Sequence, residues 1–113
     1  MAINRRKPAV ARMWRGRTTQ SLADEYAACL WEHGVKKLRS TPGNLGVQVF
    51  RRAHDGIVEF TTISCWESRE AIRAYAGTDI ARTHHLPRDA EYLLELPPTV
   101  THFDVLVDER GPA

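Results

Sequence analysis

The sequence predicts an α+β fold with the element order β-α-β-β-α-β, in which a four-stranded antiparallel sheet carries its helices on one face. This is the ferredoxin-like arrangement. Two observations predict it. Apolar residues alternate with a period of two in some stretches and recur every three or four residues in others. In addition, Asp55-Gly56 joins two strand-like stretches, and this pair is a strong hairpin signal because a type I′ turn needs positive φ.

The first half of the chain begins with a short predicted strand over residues 10–15 and a predicted loop over 16–19. From Ser21 onward, apolar residues at three- and four-residue spacing indicate one face of a helix. We expect Ser21 to be its N-cap, because a serine hydroxyl accepts a hydrogen bond from a free backbone N–H of the first turn. Pro42-Gly43 is expected to end this helix.

The rest of the chain supplies the other three strands and a second helix. Alternating patterns over 45–52 and 57–66 predict the two hairpin strands, and 99–107 is the predicted last strand. Ser68 is the expected N-cap of the second helix. The segment between that helix and the last strand is rich in proline and has the weakest pattern, with a short helix predicted around residues 89–94.

Length, charge and cysteine usage narrow the class of protein. The 113 residues fit one domain, which we place at 9–107 between a flexible tail of 1–8 and a tail of 108–113. A net charge of +2 argues against a nucleic-acid partner. No apolar run approaches the roughly 18 residues that cross a membrane. Cys29 and Cys65 are expected to be free thiols, so we expect a cytoplasmic protein.

Both faces of the predicted third strand are rich in apolar residues. Ile57 and Ile63 lie on one face, while Val58, Phe60 and Trp66 lie on the other. Two helices cover only one sheet face, and a large bare apolar face is not tolerated on a soluble monomer. We therefore expect a homodimer whose sheets pack face to face.

Two motifs resemble the antibiotic biosynthesis monooxygenase family. One is the run Trp66-Glu67-Ser68-Arg69-Glu70-Ala71-Ile72-Arg73-Ala74-Tyr75, and the other is Gly43-Asn44-Leu45-Gly46. With the element order, the resemblance covers roughly residues 9 to 107. It implies a dimeric α/β barrel with one pocket per subunit, between sheet and helices. One branch of that family oxidises polyketide-like phenols with O₂ and neither metal nor flavin, and another binds and degrades haem.

The haem-degrading branch places its iron-binding histidine at a spacing from the motif Trp that corresponds to His85, and His84 adjoins it. That branch has a second Trp where this chain has Tyr75 and an Asn on the first strand, where this chain has Met13-Trp14-Arg15. These two differences argue against haem degradation by that mechanism. Haem binding through His85 stays open.

The resemblance and the residue chemistry together give a set of candidate site residues. A histidine can move a proton near neutral pH, a tyrosine hydroxyl can donate a hydrogen bond, and an arginine can pair with an anion. The opposing interpretations are a pair of surface histidines and aromatic residues that only pack in the core. The candidates are His85, His84 and Tyr75 as catalytic residues, and Trp14, Arg15, Trp66 and Phe60 as substrate contacts.

Alternation on the first strand places Arg12 and Trp14 on one sheet face and Arg15 on the other. Because a buried arginine is costly unless it is paired, an arginine here either lies at the sheet rim or meets an acid or an anionic ligand. His102 and Asp104 on the last strand share a face and are candidate partners. An edge ion pair without function is the alternative.

We expect a monooxygenase that acts on a hydrophobic, aromatic, polyketide-like small molecule and needs no cofactor. A haem-binding or haem-degrading protein with His85 as axial ligand is the first alternative. The others are a non-catalytic ligand-binding or stress-response barrel and a proton-transfer isomerase or cyclase. No motif of metal-ligand spacing is present, so no metal is expected unless His85 binds haem. The expected partners are the small-molecule substrate and a second copy of the chain.

Overall fold

The computed structural model describes residues 8–109, so most of both predicted tails, 1–7 and 110–113, lies outside the described residues. The elements are β1 Val10–Thr19, a 3₁₀ turn Gln20–Leu22, α1 Ala23–Cys29, a π-helical segment Leu30–Val35, α2 Lys36–Ser40, β2 Asn44–His54, β3 Ile57–Trp66, α3 Arg69–Ala76, α4 Asp89–Tyr92 and β4 Thr101–Asp104. All strand pairs are antiparallel, in the order β2-β3-β1-β4. The predicted α+β, ferredoxin-like fold is confirmed.

The turn between β2 and β3 is the predicted one. Asp55 has φ of 51° and Gly56 has φ of 78°, the left-handed values that a type I′ turn requires. The pairing of His54 with Ile57 starts directly beside this turn, so the turn sets the register of β2 against β3.

The predicted loop over 16–19 is wrong, because β1 continues through it to Thr19. Gly16 has low strand propensity, but β3 offers a hydrogen-bonding partner to it and to the residues that follow, as far as Thr19 opposite Ile57. Thr18 is fully buried, and its hydroxyl donates to the carbonyl of Tyr92 at 2.7 Å. Pairing with β3 and burial therefore outweigh local propensity.

The segment of residues 20–40 runs without interruption through the 3₁₀ turn, α1, the π-helical segment and α2, and we call it the first helix. The prediction of Ser21 as N-cap is wrong, since the helix starts one residue earlier and no side chain caps the 3₁₀ turn or α1. The end is as predicted: Thr41 leaves the helical conformation, and Gly43 follows with φ of +89°. The π-helical segment has no counterpart in the sequence pattern.

The second helix follows its prediction closely. Ser68 lies outside α3 with extended backbone, and its hydroxyl accepts a hydrogen bond from the N–H of Ala71 at 3.2 Å. Gly77 ends the helix with φ of 87°. The predicted short helix near 89–94 is α4. In contrast, β4 is shorter than the predicted 99–107, because Thr99 pairs with Arg82 outside the sheet.

Two clusters of buried residues lie between the helices and the sheet. One lies under the start of the first helix and contains Ala23, Tyr26, Leu30, Val58, Phe60, Tyr92 and Leu93. The other joins the end of that helix and α3 to the sheet and contains Val10, Leu38, Trp66, Ile72 and Tyr75. The gap between these two clusters positions the site described below.

The sheet face opposite the helices is not covered by any of residues 8–109. Strand register places Met13, Ile63, Phe50 and Phe103 on this face, and the two phenylalanines are 49% and 48% exposed. Residues 8–109 therefore leave an apolar patch exposed on this face. No helix in the described part of the chain has the length and apolar character needed to cross a membrane.

Candidate functional site

A cavity of about 30 Å³ lies between the first helix and the sheet, and it takes residues from both core clusters. The lining residues are Arg12, Trp14, Tyr26, Leu30, Gly34, Val35, Leu38, Thr62, Ser64, Tyr75, His84, Leu86 and Asp89. A volume of this size holds about two water molecules. An aromatic ligand therefore requires that the walls move apart.

Arg12 contributes a buried positive charge to this cavity. Its side chain projects from β1 and is only 5% exposed. One terminal nitrogen donates to the carbonyls of Arg82 at 3.0 Å and Ile80 at 3.4 Å, and its Nε has no hydrogen-bond partner. Burial lowers the pKa of Arg12, but a guanidinium stays charged at neutral pH. The charge is therefore solvated by neutral carbonyl groups.

The rings of Tyr75 and His84 contact each other at the same cavity, tilted by 55° with 4.7 Å between their centroids. Lys37 Nζ lies 3.2 Å from His84 Nε2. Because an ammonium group only donates, Nε2 accepts, and a neutral His84 ring carries its proton on Nδ1. Burial and the nearby charges of Lys37 and Arg12 lower the pKa of His84. His84 is therefore a neutral proton acceptor at neutral pH.

Asp89 fixes the segment that closes the cavity. Its carboxylate is buried, and its two oxygens accept hydrogen bonds from the Tyr26 hydroxyl at 3.1 Å and the Leu86 N–H at 2.9 Å. Burial, reinforced by the negative charge of Asp89, raises the pKa of Tyr26, so this hydroxyl keeps its proton. The contact joins α1 to the loop that carries His84.

The π-helical segment forms part of the opposite wall. Gly34 lies in this segment, and a Cβ added there would come within 3.3 Å of a Leu86 methyl group, so the loop packs closely on the helix. Short π segments are frequent at functional sites. Gly34 and Leu86 both line the cavity, so their close contact narrows it.

A family model for antibiotic biosynthesis monooxygenases matches residues 11–86, which include both motifs and most of the cavity lining. This chain belongs to the antibiotic biosynthesis monooxygenase family. The match confirms the family resemblance that the Trp66 to Tyr75 run indicates.

Solved structures of similar fold agree with this family. Rv0793 from Mycobacterium tuberculosis is 19% identical, with a TM-score of 0.64 over 89% of this chain and 98% of that chain. A monooxygenase from the gene ActVA-Orf6 of Streptomyces coelicolor, solved with nanaomycin D, is 18% identical, with a TM-score of 0.59 over 93% and 94%. The heme-degrader MhuD from Mycobacterium tuberculosis, solved with two hemes, is 21% identical, with a TM-score of 0.56 over 89% and 99%. A comparison with curated proteins finds no significant match.

The structure brings some of the predicted site residues together. Tyr75, His84 and Trp14 all line the cavity of this family member. His85 is exposed and is not part of the lining. Adjacent residues of an extended segment point in different directions, which separates the two histidines. The roles assigned to these side chains stay predictions.

The other predicted contacts lie elsewhere. Arg15 is on the opposite sheet face beside Phe50. Phe60 is buried under the first helix. Trp66 is completely buried, and its Nε1 donates to Ser64 Oγ at 2.9 Å. These three side chains do not line the cavity, so a ligand there meets none of them directly.

The candidate partners of the arginines are also placed differently. Asp104 pairs with Arg69 at 3.1 Å rather than with an arginine of β1. His102 lies opposite Arg12 in the β1–β4 register, but its Nε2 has no hydrogen-bond partner. Arg12 bonds carbonyls of the loop after α3, which a sequence pattern does not reveal.

The sequence did not identify Tyr26 or Asp89, and for Arg12 it left open a place at the sheet rim or a contact with an acid or an anionic ligand. Alternation places Arg12 on the same face as Trp14, which was the available signal for it. Tyr26 is one residue off the apolar positions used to identify the helix face. Asp89 was in a segment without a readable pattern, and only the fold brings it to Tyr26, 63 residues away.

Like an aromatic substrate, a porphyrin requires the walls of this cavity to move apart, because the present volume is about 30 Å³. Lys37 Nζ lies 3.2 Å from His84 Nε2 and must move before that nitrogen can bind iron. Within residues 8–109, no group of three or more His, Cys, Asp or Glu is arranged to hold a metal ion.

Proposed function

We propose that this protein is a monooxygenase that oxidises a hydrophobic, aromatic small molecule with O₂, without a metal or an organic cofactor. The observation that supports this most is one cavity holding a neutral histidine, a tyrosine and a buried arginine between apolar walls, in a member of a monooxygenase family. The structural relative solved with nanaomycin D supports an aromatic ligand.

In the proposed reaction, His84 takes a proton from a phenol or enol of the substrate. Its lowered pKa suits this task, because a neutral imidazole is present at neutral pH. The proton goes to Nε2, which requires Lys37 to move away. Lys37 is an exposed side chain, so water can solvate its ammonium group after it moves. Arg12 then lies close to the developing anion and stabilises it electrostatically.

The substrate anion supplies the electrons for O₂. For an anthrone-like substrate, a CH₂ group becomes a carbonyl. One oxygen atom enters the product, the other leaves as water with the two hydrogens, and all four electrons come from the substrate carbon. No external reductant is needed. Trp14 and Leu86 line the cavity with apolar surface, which excludes competing water.

The test is aerobic turnover of a hydroxyanthrone, followed by absorbance and by mass spectrometry under ¹⁸O₂. We expect one labelled oxygen in the product and no product without O₂. His84→Gln is expected to lower kcat by about 10²-fold or more. His85→Gln is the matched control, since its side chain is outside the cavity, and it should keep full activity.

Other outcomes would redirect the proposal. Turnover without O₂ would indicate a proton-transfer isomerase. Loss of activity in His85→Gln but not in His84→Gln would show that the wrong histidine has been assigned. A stoichiometric Soret band on titration with haemin, abolished by either histidine substitution, would contradict a reaction without a cofactor.

We also propose that a second copy of the chain covers the open sheet face. Met13, Ile63, Phe50 and Phe103 give this face an apolar surface that a two-fold axis can match to itself. We expect light scattering to give twice the mass of the chain, and Ile63→Glu with Phe50→Glu to give the monomer. A monomeric wild type at micromolar concentration would contradict this assembly.

A further inference from the structure

The cavity collects polar atoms that lack partners. Within residues 8–109, five buried side-chain atoms have no hydrogen-bond partner, and two of them, Arg12 Nε and Thr62 Oγ1, belong to the cavity lining. Arg12 and Thr62 are 5% and 7% exposed. Because a buried donor without a partner costs free energy, two of them at one cavity indicate a group that the ligand supplies.

The strand register places these donors on one sheet face. Arg12 lies opposite Ser64, and Trp14 opposite Thr62, so Arg12 and Thr62 are diagonal neighbours across β1 and β3. Ser64 Oγ accepts from Trp66 Nε1 at 2.9 Å, which leaves its own proton available to donate. These three side chains therefore lie at adjacent positions of the sheet face that lines the cavity.

The charge at this point is uncompensated. No Asp or Glu of residues 8–109 forms an ion pair with Arg12, whose contacts are two neutral carbonyls and the face of the Tyr75 ring at 5.7 Å. Asp89 also lines the cavity, but its two oxygens already accept from Tyr26 and Leu86. A buried cation without a counter-ion is unfavourable, and an anionic ligand group would relieve it.

We propose that Arg12, Ser64 and Thr62 form a subsite for an ionised oxygen group of the ligand, so that the aromatic substrate carries a negative charge in addition to the phenol or enol that His84 deprotonates. The cavity as it stands, at about 30 Å³, has room for an oxygen group but not for a ring, so the ring of the ligand requires the walls to move apart. This rests on the proposed function only in taking the cavity as the ligand site, and it does not depend on reaction with O₂.

The experiment measures binding, not turnover, by calorimetry with the full chain. The probes are 2-naphthoate, its neutral amide, and a naphthol measured below and above its own pKa. We expect the carboxylate or the ionised naphthol to bind at least about tenfold more tightly than the matching neutral compound. Comparison of 2-naphthoate with the ionised naphthol shows whether the site prefers a carboxylate or a phenolate.

Thr62→Val is the main variant, because it keeps the shape of the side chain and removes a hydroxyl that bonds nothing in the described chain. We expect it to weaken anion binding about tenfold and to leave the neutral probe unchanged. Arg12→Lys keeps the charge but loses the Nε donor, and it should weaken anion binding more than Thr62→Val does. Lys36→Met is the control for attraction by a surface charge and should have little effect, because Lys36 is exposed and pairs with Glu32 at 2.9 Å. Lys37→Met tests whether the charge beside His84 is the one that binds the anion.

Equal affinity for anionic and neutral probes would overturn the subsite, as would a Thr62→Val variant that binds both as wild type does. A loss of anion binding in Lys37→Met alone would also overturn it, since the charge involved would then be on the surface. If the anion binds as expected but no hydroxyanthrone is oxidised, the subsite stands and the proposed oxygenase reaction fails.

Discussion

Removal of one hydroxyl from Tyr26 tests the contact that joins α1 to the cavity loop. Tyr26 is 1% exposed, and its hydroxyl donates to Asp89 Oδ1 at 3.1 Å. Tyr26→Phe keeps the ring, which packs against Phe60 with 5.4 Å between ring centroids. The change therefore removes a hydrogen bond to a buried carboxylate and little else.

The magnitude follows from the chemistry of that bond. A hydrogen bond to a charged group contributes about 1.5–3 kcal/mol, and the carboxylate of Asp89 belongs to a residue that is only 3% exposed. Its other oxygen keeps the Leu86 N–H, so we expect a loss near the middle of that range. A loss of about 2 kcal/mol lowers Tm by roughly 8 °C for a domain of this size.

Urea unfolding and thermal melts at one fixed protein concentration measure this loss. Tyr75→Phe is the matched control, because Tyr75 is also a buried tyrosine but its hydroxyl makes no hydrogen bond within residues 8–109. The control should change the free energy of unfolding by less than about 0.5 kcal/mol. Equal effects of the two substitutions would refute the assignment of Asp89 as the anchor of the loop.

Two further predictions concern stability. Ser68→Ala removes the N-cap that accepts from the Ala71 N–H and should cost about 1 kcal/mol in urea unfolding, with Ser68→Asp restoring most of it; no loss would contradict the cap. Burial, then the charges of Lys37 and Arg12, lower the pKa of His84 in the folded chain. As the pH falls below 6.5, this histidine therefore binds a proton in the unfolded chain before it does so in the folded one. The free energy of unfolding decreases over that range. His84→Gln should flatten the decline of Tm between about pH 6.5 and pH 5, and an unchanged slope would contradict this cause.

Local patterns predicted the second helix and the hairpin accurately. The Ser68 cap, the left-handed turn at Asp55 and Gly56, and the stop at Gly43 each depend on the residue's own geometry. The extension of β1 to Thr19 was not predictable in this way. It depends on β3, whose pairing with those residues joins positions about forty apart in the sequence.

The residues of the candidate site also fall into two groups, those that local patterns identified and those that depend on distant contacts. Tyr75 and Trp14 were identified from the family motif and from strand alternation, and both line the cavity. The choice between His84 and His85 was not available from the sequence, because the two residues lie in a loop whose direction is set by distant contacts. Asp89 and the carbonyl of Arg82 fix that loop, and neither gives a local signal.

The sequence by itself determined the fold class, the family and the turn and cap residues, because each follows from periodicity or from the conformation that one residue type prefers. Only the tertiary structure decided that Arg12 rather than Arg15 lines the cavity without a counter-ion, and that Leu86 packs against Gly34 at the cavity wall. Burial and unmet hydrogen bonds are properties of the packed chain. They arise from groups that the fold brings together, so no stretch of sequence carries them.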